Sequence, residues 1–109
     1  MSNTHIPVLS VAGLNAEEAK KSYVKELMIK SFKKKIPIHI DLVPEPTNPY
    51  DANAIKVVIN KVDAGYIAKA DQQYLDISNN QQYIAHIVSW GVLKDSSVYV
   101  YIQPILKSI

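Results

Sequence analysis

A stiff polar turn runs directly into an alternating apolar strand at residues 44–58, PEPTNPYDANAIKVV, and that junction constrains the fold more than any other stretch. Pro46 and Pro49 fix their own φ angles and push the residues before them, Glu45 and Asn48, toward extended backbone. Asn48, Asp51 and Asn53 carry side chains that hydrogen-bond nearby backbone, so the turn holds its shape with little core of its own. From Ala54 the pattern changes to strand, with Ile55, Val57 and Ile59 on one face and Lys56, Val58 and Asn60 on the other. Tyr50 is therefore expected among polar neighbours on a rigid surface loop anchored to a buried strand.

The rest of the chain supplies a barrel to carry this turn. Residues 5–11 read as a first strand, with Ile6, Val8 and Ser10 on one side and Pro7, Leu9 and Val11 on the other. Gly13 frees the backbone for a turn. Asn15 is then the expected N-cap of a helix starting at Ala16, with Glu18 at the capping-box position. Ala19, Tyr23, Leu27, Met28 and Ile29 recur at helical spacing as its inner face, and Lys33, Lys34 and Lys35 suit its C-terminus. Ile36, Ile38, Ile40 and Leu42 alternate in the next strand, opened by Pro37, with His39 facing outward. After the strand at 54–60, Lys61-Val62-Asp63 is the expected hairpin turn into a strand at 64–68, with a bulge at Gly65. A second helix is expected at 70–79, with Tyr74, Leu75, Ile77 and Ser78 inward. A last hairpin at 83–93 and 97–105 turns at Lys94-Asp95-Ser96, with Trp90 in the core on the face of His86 and Val88. Six mostly antiparallel strands with two inserted helices predict a mainly β, partly open barrel of the OB or SH3 type, and periodicity alone does not choose between the two.

The length of 109 residues suits a single domain, 1–109, with one modest core. No apolar run approaches the roughly 20 residues that span a bilayer, and the N-terminus lacks the basic stretch of a secretory signal, so a cytoplasmic protein with no membrane contact is expected. The chain has no cysteine, which removes disulfides and thiolate metal sites. His5, His39 and His86 lie on three separate predicted strands without metal-ligand spacing. Asp41, Asp51, Asp63 and Asp71 are scattered, with nothing to set two side by side for Mg²⁺. No P-loop, nucleophile elbow or dinucleotide fingerprint occurs, so neither catalysis nor a cofactor nor a metal is expected. The net charge of +2 argues for no partner by itself. Seven lysines nevertheless cluster at 20–35, a pattern that a solvated helix face explains.

Two motifs, N-P-Y-D-A-N-A-I-K-V at 48–57 and A-G-Y-I-A-K at 64–69, resemble those of the HIRAN domain family. V-A-G-L at 11–14 and I-D-L-V-P-E-P at 40–46 extend the likeness to nearly the whole chain. The resemblance implies an OB-related barrel with a helix between its first two strands. It also implies capture of the 3′ end of single-stranded DNA, with Asn48, Tyr50 and Asp51 holding the terminal nucleotide and Tyr66 and Lys69 beside it. Where the family carries arginine and aromatic residues just after the first strand, this chain has Leu14-Asn15-Ala16, and Tyr23 with Lys20 or Lys21 are the available substitutes.

The residues fit that chemistry. Tyr50 and Tyr66 stand beside polar or basic neighbours at strand ends, where an aromatic face can stack a base, whereas Tyr99 and Tyr101 read as cover for the core edge. Lys69 offers a point charge to a phosphate. Asp51 repels a phosphate but accepts a hydrogen bond from a sugar hydroxyl, which favours a strand terminus. The expected function is a non-enzymatic single-stranded DNA-binding module preferring a free 3′-hydroxyl end, in DNA repair or replication-fork processing alongside helicase or nuclease proteins. The alternative is a protein-interaction adaptor on the same barrel.

Overall fold

Alternation decides which side of each strand is buried, and the computed structural model, which describes residues 6–76 and 82–107, follows it through most of the chain. In order come β1 (Leu9–Ala12), α1 (Glu18–Lys34), β2 (Ile40–Pro44), β3 (Ile55–Ile59), β4 (Val62–Ile67), a 3-10 helix (Lys69–Tyr74), β5 (Tyr83–Val92) and β6 (Val98–Leu106). Among the described residues the six strands form a closed antiparallel barrel in the order β1-β4-β3-β2-β5-β6, with β6 returning to β1. Closure replaces the expected partial opening because the short β1 pairs on both edges, Val11 and Ala12 with β4 and Leu9 and Ser10 with β6. Gln103 continues that last seam by donating to the Ile6 carbonyl at 2.7 Å.

Leu9, Val11, Ile40, Leu42, Ile55, Val57, Ile59, Val98, Val100 and Ile102 point inward from the strands and are buried. α1 lays Val24 and Met28 into the same core, flanked by the partly buried Tyr23 and Leu27. Val24 is buried, whereas Ala19, expected on the inner face, lies exposed in the first turn of a helix that begins two residues later than Ala16. Asn15 is not its N-cap. Its side chain reaches across to β6 and brackets Val98, donating to the carbonyl at 3.0 Å and accepting from the N–H at 2.8 Å. Glu17 takes the cap position with extended backbone and no side-chain cap bond.

Other departures have equally local causes. The strand expected from Ile36 begins only at Ile40, since the Asn60 side chain accepts from the His39 N–H at 2.7 Å where a strand partner would otherwise sit. Asn60 and Lys61, at φ 49° and 70°, form the β3–β4 turn, so Val62 and Asp63 already belong to β4. Positive φ at both central residues is what a two-residue hairpin turn of type I′ demands. The β4 bulge falls at Ala64, since Val57 pairs with Gly65 and Val58 with Asp63. Gly65 is required beside it for another reason: a Cβ there would collide with the Ala12 carbonyl oxygen. A second bulge, at Val88, reverses the alternation of β5. Trp90 consequently packs against the core with Ile87, while His86 and Val88 lie exposed on the other side. The second helix is a short 3-10 turn with only Leu75, just beyond it, buried; Tyr74 is exposed, and Ile77 and Ser78 lie outside the described residues, as does His5. No helix of the described residues is long and apolar enough to cross a membrane.

Candidate functional site

The turn between β2 and β3 is held from both ends. At its base the Glu45 N–H donates to the Ala54 carbonyl at 2.9 Å, and the Asn48 N–H donates to the Glu45 carbonyl at 3.0 Å. At its tip the Asn48 Oδ1 accepts from the N–H groups of Tyr50 and Asp51, at 2.8 and 3.0 Å, and Asp51 Oδ1 accepts from the Asn53 N–H at 2.9 Å. These short-range bonds are those that Asn and Asp make in turns, and they fix the backbone on which Tyr50 stands. Tyr50 is 94% exposed, so its ring packs on nothing in the protein.

Beside this tip lies a cavity of about 800 Å³, open to solvent, between the turn, the end of β4 and the 3-10 helix. All five residues singled out in the sequence, Asn48, Tyr50, Asp51, Tyr66 and Lys69, line it. Its size is in the range of small-molecule and cofactor clefts. Leu14, by contrast, is only 1% exposed, and Lys20 and Lys21 pair with Glu17 and Glu18 on their own helix at 3.8 and 3.2 Å. Neither they nor Tyr23 line the cavity, so no substitute for the missing arginine and aromatic residues comes from α1.

The site contains three residues that the sequence did not single out. Glu45 sits at the back of the cavity, where its Oε1 accepts from Asn48 Nδ2 at 3.0 Å and from the Tyr66 hydroxyl at 2.9 Å. Its Oε2 pairs with Lys56 at 3.0 Å, and Lys56 also reaches Asp63 at 3.2 Å. These donors, Asn48 foremost, hold the Glu45 carboxyl down to about 2. The same contact with Glu45 pushes the Tyr66 phenol and the Lys56 ammonium above their ordinary ranges. On the other side Gln72 donates to Asp51 Oδ2 at 2.8 Å, which, with the Asn53 N–H and the charge of Lys69, keeps the Asp51 carboxyl low.

Two of the three had a signal in the sequence. Lys56 faces outward from β3 by alternation, and the bulge at Ala64 brings Tyr66 opposite it in the ladder. Gln72 follows Lys69 by three residues, the repeat of a 3-10 helix, which sets both on one side. Glu45 had none beyond its place before Pro46.

The chemistry on offer is specific. Tyr66 commits its hydroxyl to Glu45, so the face of its ring is what remains for a ligand. Asn48 commits its Oδ1 to the turn. Asp51 has one donor on each oxygen, and a carboxylate has about four lone-pair sites, so it can accept further hydrogen bonds. Among the described residues, no group of three His, Cys, Asp or Glu residues could hold a metal ion. Comparison of the chain with family models, curated proteins and solved structures returns no match.

Proposed function

We propose that the chain is a non-enzymatic single-stranded DNA-binding module that takes a free 3′-hydroxyl end into the cavity beside Tyr50. The observation that carries this reading is the pairing, on one rigid turn, of a free aromatic ring with an ionised carboxylate that retains acceptor capacity. Tyr50 offers a base a stacking surface, and Asp51, the next residue, accepts from a terminal sugar hydroxyl. Lys69, close enough to lower the Asp51 carboxyl, balances the adjoining phosphate. The motif resemblance to HIRAN domains supports the same assignment and points to DNA repair or replication-fork processing, next to helicase or nuclease proteins.

The test is anisotropy binding of matched short single strands that end in a 3′-hydroxyl or a 3′-phosphate, with a 5′-phosphate control, at one salt concentration. A 3′-phosphate adds negative charge beside Asp51, so the 3′-hydroxyl strand should bind about tenfold tighter or more. Asp51→Asn should shrink that difference. Tyr50→Ala should weaken binding by about 1–3 kcal/mol, the worth of one stacking platform, and leave the fold intact because the ring packs on nothing. Equal binding of the two 3′ ends rejects end recognition.

A protein-adaptor reading has one observation of its own, the exposed Val88, Val92 and Leu93 at the far end of β5 and its turn. Binding of strands that is lost with Tyr50 but not with these residues decides against it.

A further inference from the structure

A continuous series of hydrogen bonds runs from the wall of the cavity to its rim. It begins at the Tyr66 hydroxyl on β4, passes to Glu45 Oε1 at 2.9 Å, and reaches Asn48 Nδ2 at 3.0 Å. Asn48 then holds, through its Oδ1, the backbone N–H groups of the two residues offered to the ligand, Tyr50 and Asp51. Glu45 is the hub of this series. Its carboxylate is also where strand β3 enters, through Lys56, whose ammonium spans Glu45 and Asp63. The charged or titratable groups facing Tyr66 are therefore Glu45 from the turn, Lys56 from β3 and Asp63 from β4.

We propose that Glu45 is a positioning residue of the site, whose carboxylate fixes the spacing between the Tyr66 wall and the Tyr50–Asp51 rim. This rests on the strand-end reading of the cavity given above. Glu45 touches no ligand on this account. It acts because a loop carrying two prolines is stiff internally, yet can still swing about its base as one body. Backbone bonds from Glu45 to Ala54 and from Asn48 to Glu45 hold that base, and the side-chain series adds the lateral tie to β4.

A carboxylate suits the position where an amide does not. One oxygen accepts from two neutral donors while the other faces an ammonium. Glutamine keeps one acceptor, but its amide group turns N–H donors toward either Lys56 or Tyr66. Loss of a charge-assisted hydrogen bond of this kind, converted at tenfold per about 1.4 kcal/mol, predicts a fall in affinity of about tenfold.

The experiment uses the full chain in four forms: unmodified, Glu45→Gln, Glu45→Ala, and Glu26→Gln. Glu26 pairs with Lys30 on the exposed side of α1, so its substitution removes the same charge without touching the cavity. Two quantities are read, affinity for a short strand ending in a 3′-hydroxyl and the titration of Tyr66 followed by its ring carbon shift in NMR. The expected result is that both Glu45 variants lose about tenfold or more in affinity. Their Tyr66 phenol should also fall toward its ordinary range, with Glu26→Gln unchanged in both. Affinity that survives while the phenol moves overturns the inference, because Glu45 then holds Tyr66 without serving the site. Affinity that falls while the phenol stays also overturns it. If the unmodified protein binds no strand, the strand-end reading fails by itself. In that case the phenol titration, with the Asn48 side-chain amide shift, decides whether Glu45 organises the cavity: both move if it does, and neither moves if it does not.

Discussion

Two carboxylates meet at one turn, and their partners give them different work. Asp51 receives one donor on each oxygen and remains open at the rim, whereas Glu45 takes three donors, from Asn48, Tyr66 and Lys56. That difference has a consequence for stability against pH. The Glu45 carboxyl is held near 2, below its ordinary 4.5, so the unfolded chain takes up the proton first as acid is added. Its contribution is thus complete above about pH 4.5 and is lost as the pH falls toward 2. Asp51 and Asp95, also lowered, act in the same direction below their ordinary 3.8. Lys56 and Tyr66 are raised, so their contributions are complete below about 10 and decline as the pH climbs through their folded values. Urea midpoints measured from pH 2 to 7 should show a plateau above about 4.5, and Glu45→Gln should flatten the acid limb. An acid limb of undiminished slope in the variant would assign the loss to other groups.

At the scale of elements, what could be read from residues alone was what alternation and turn chemistry control. Ile55, Val57 and Ile59 point inward as their spacing predicts, and the proline-stiffened turn before them lies on the surface. The barrel class followed from counting such strands. Gly65 signals the β4 bulge to within one residue, but the bulge in β5 is not readable in the same way, because Val88 carries no mark that distinguishes an inserted residue from a paired one. A single insertion reverses the alternation beyond it, and for that reason Trp90 was placed with the wrong neighbours. Asn15 misled for a related reason: its local context suits an N-cap, but a partner 83 residues away outcompetes the helix. Of the cavity lining, Asn48, Tyr50, Asp51, Tyr66 and Lys69 stand out in the sequence, whereas Glu45, which lines it too, does not, since it meets Tyr66 only across the β2-β3-β4 meander. The Asn15 bridge gives a direct test. Asn15→Ala leaves the N–H and carbonyl of Val98 without their partner and should cost about 1–2 kcal/mol in chemical denaturation. Asn15→Asp, which keeps only acceptors, should also destabilise. If Asn15 were the helix cap instead, aspartate would serve as well as asparagine.

Across the whole molecule, charge is distributed so that the lysine-rich helix and the cavity are separate features. The chain has 12 lysines and no arginine, with a net charge of only +2. Lys20, Lys21 and Lys30 are paired with Glu17, Glu18 and Glu26 on α1, and Lys33, Lys34 and Lys35 lie exposed at its C-terminal end, where they complement the helix dipole. Among the described residues, Lys69 is the lysine that lines the cavity. A strand bound there should therefore release about one counterion, and log K should fall with log salt at a slope of about −0.7. That is far shallower than for a protein that tracks a long stretch of backbone, and it marks recognition of an end over recognition of a strand. Lys69→Ala should bring the slope close to zero, while replacing Lys33, Lys34 and Lys35 together with alanine should leave it unchanged. A slope of about −2 or steeper that collapses in the triple variant would move the interface to α1 and remove the cavity from DNA binding altogether.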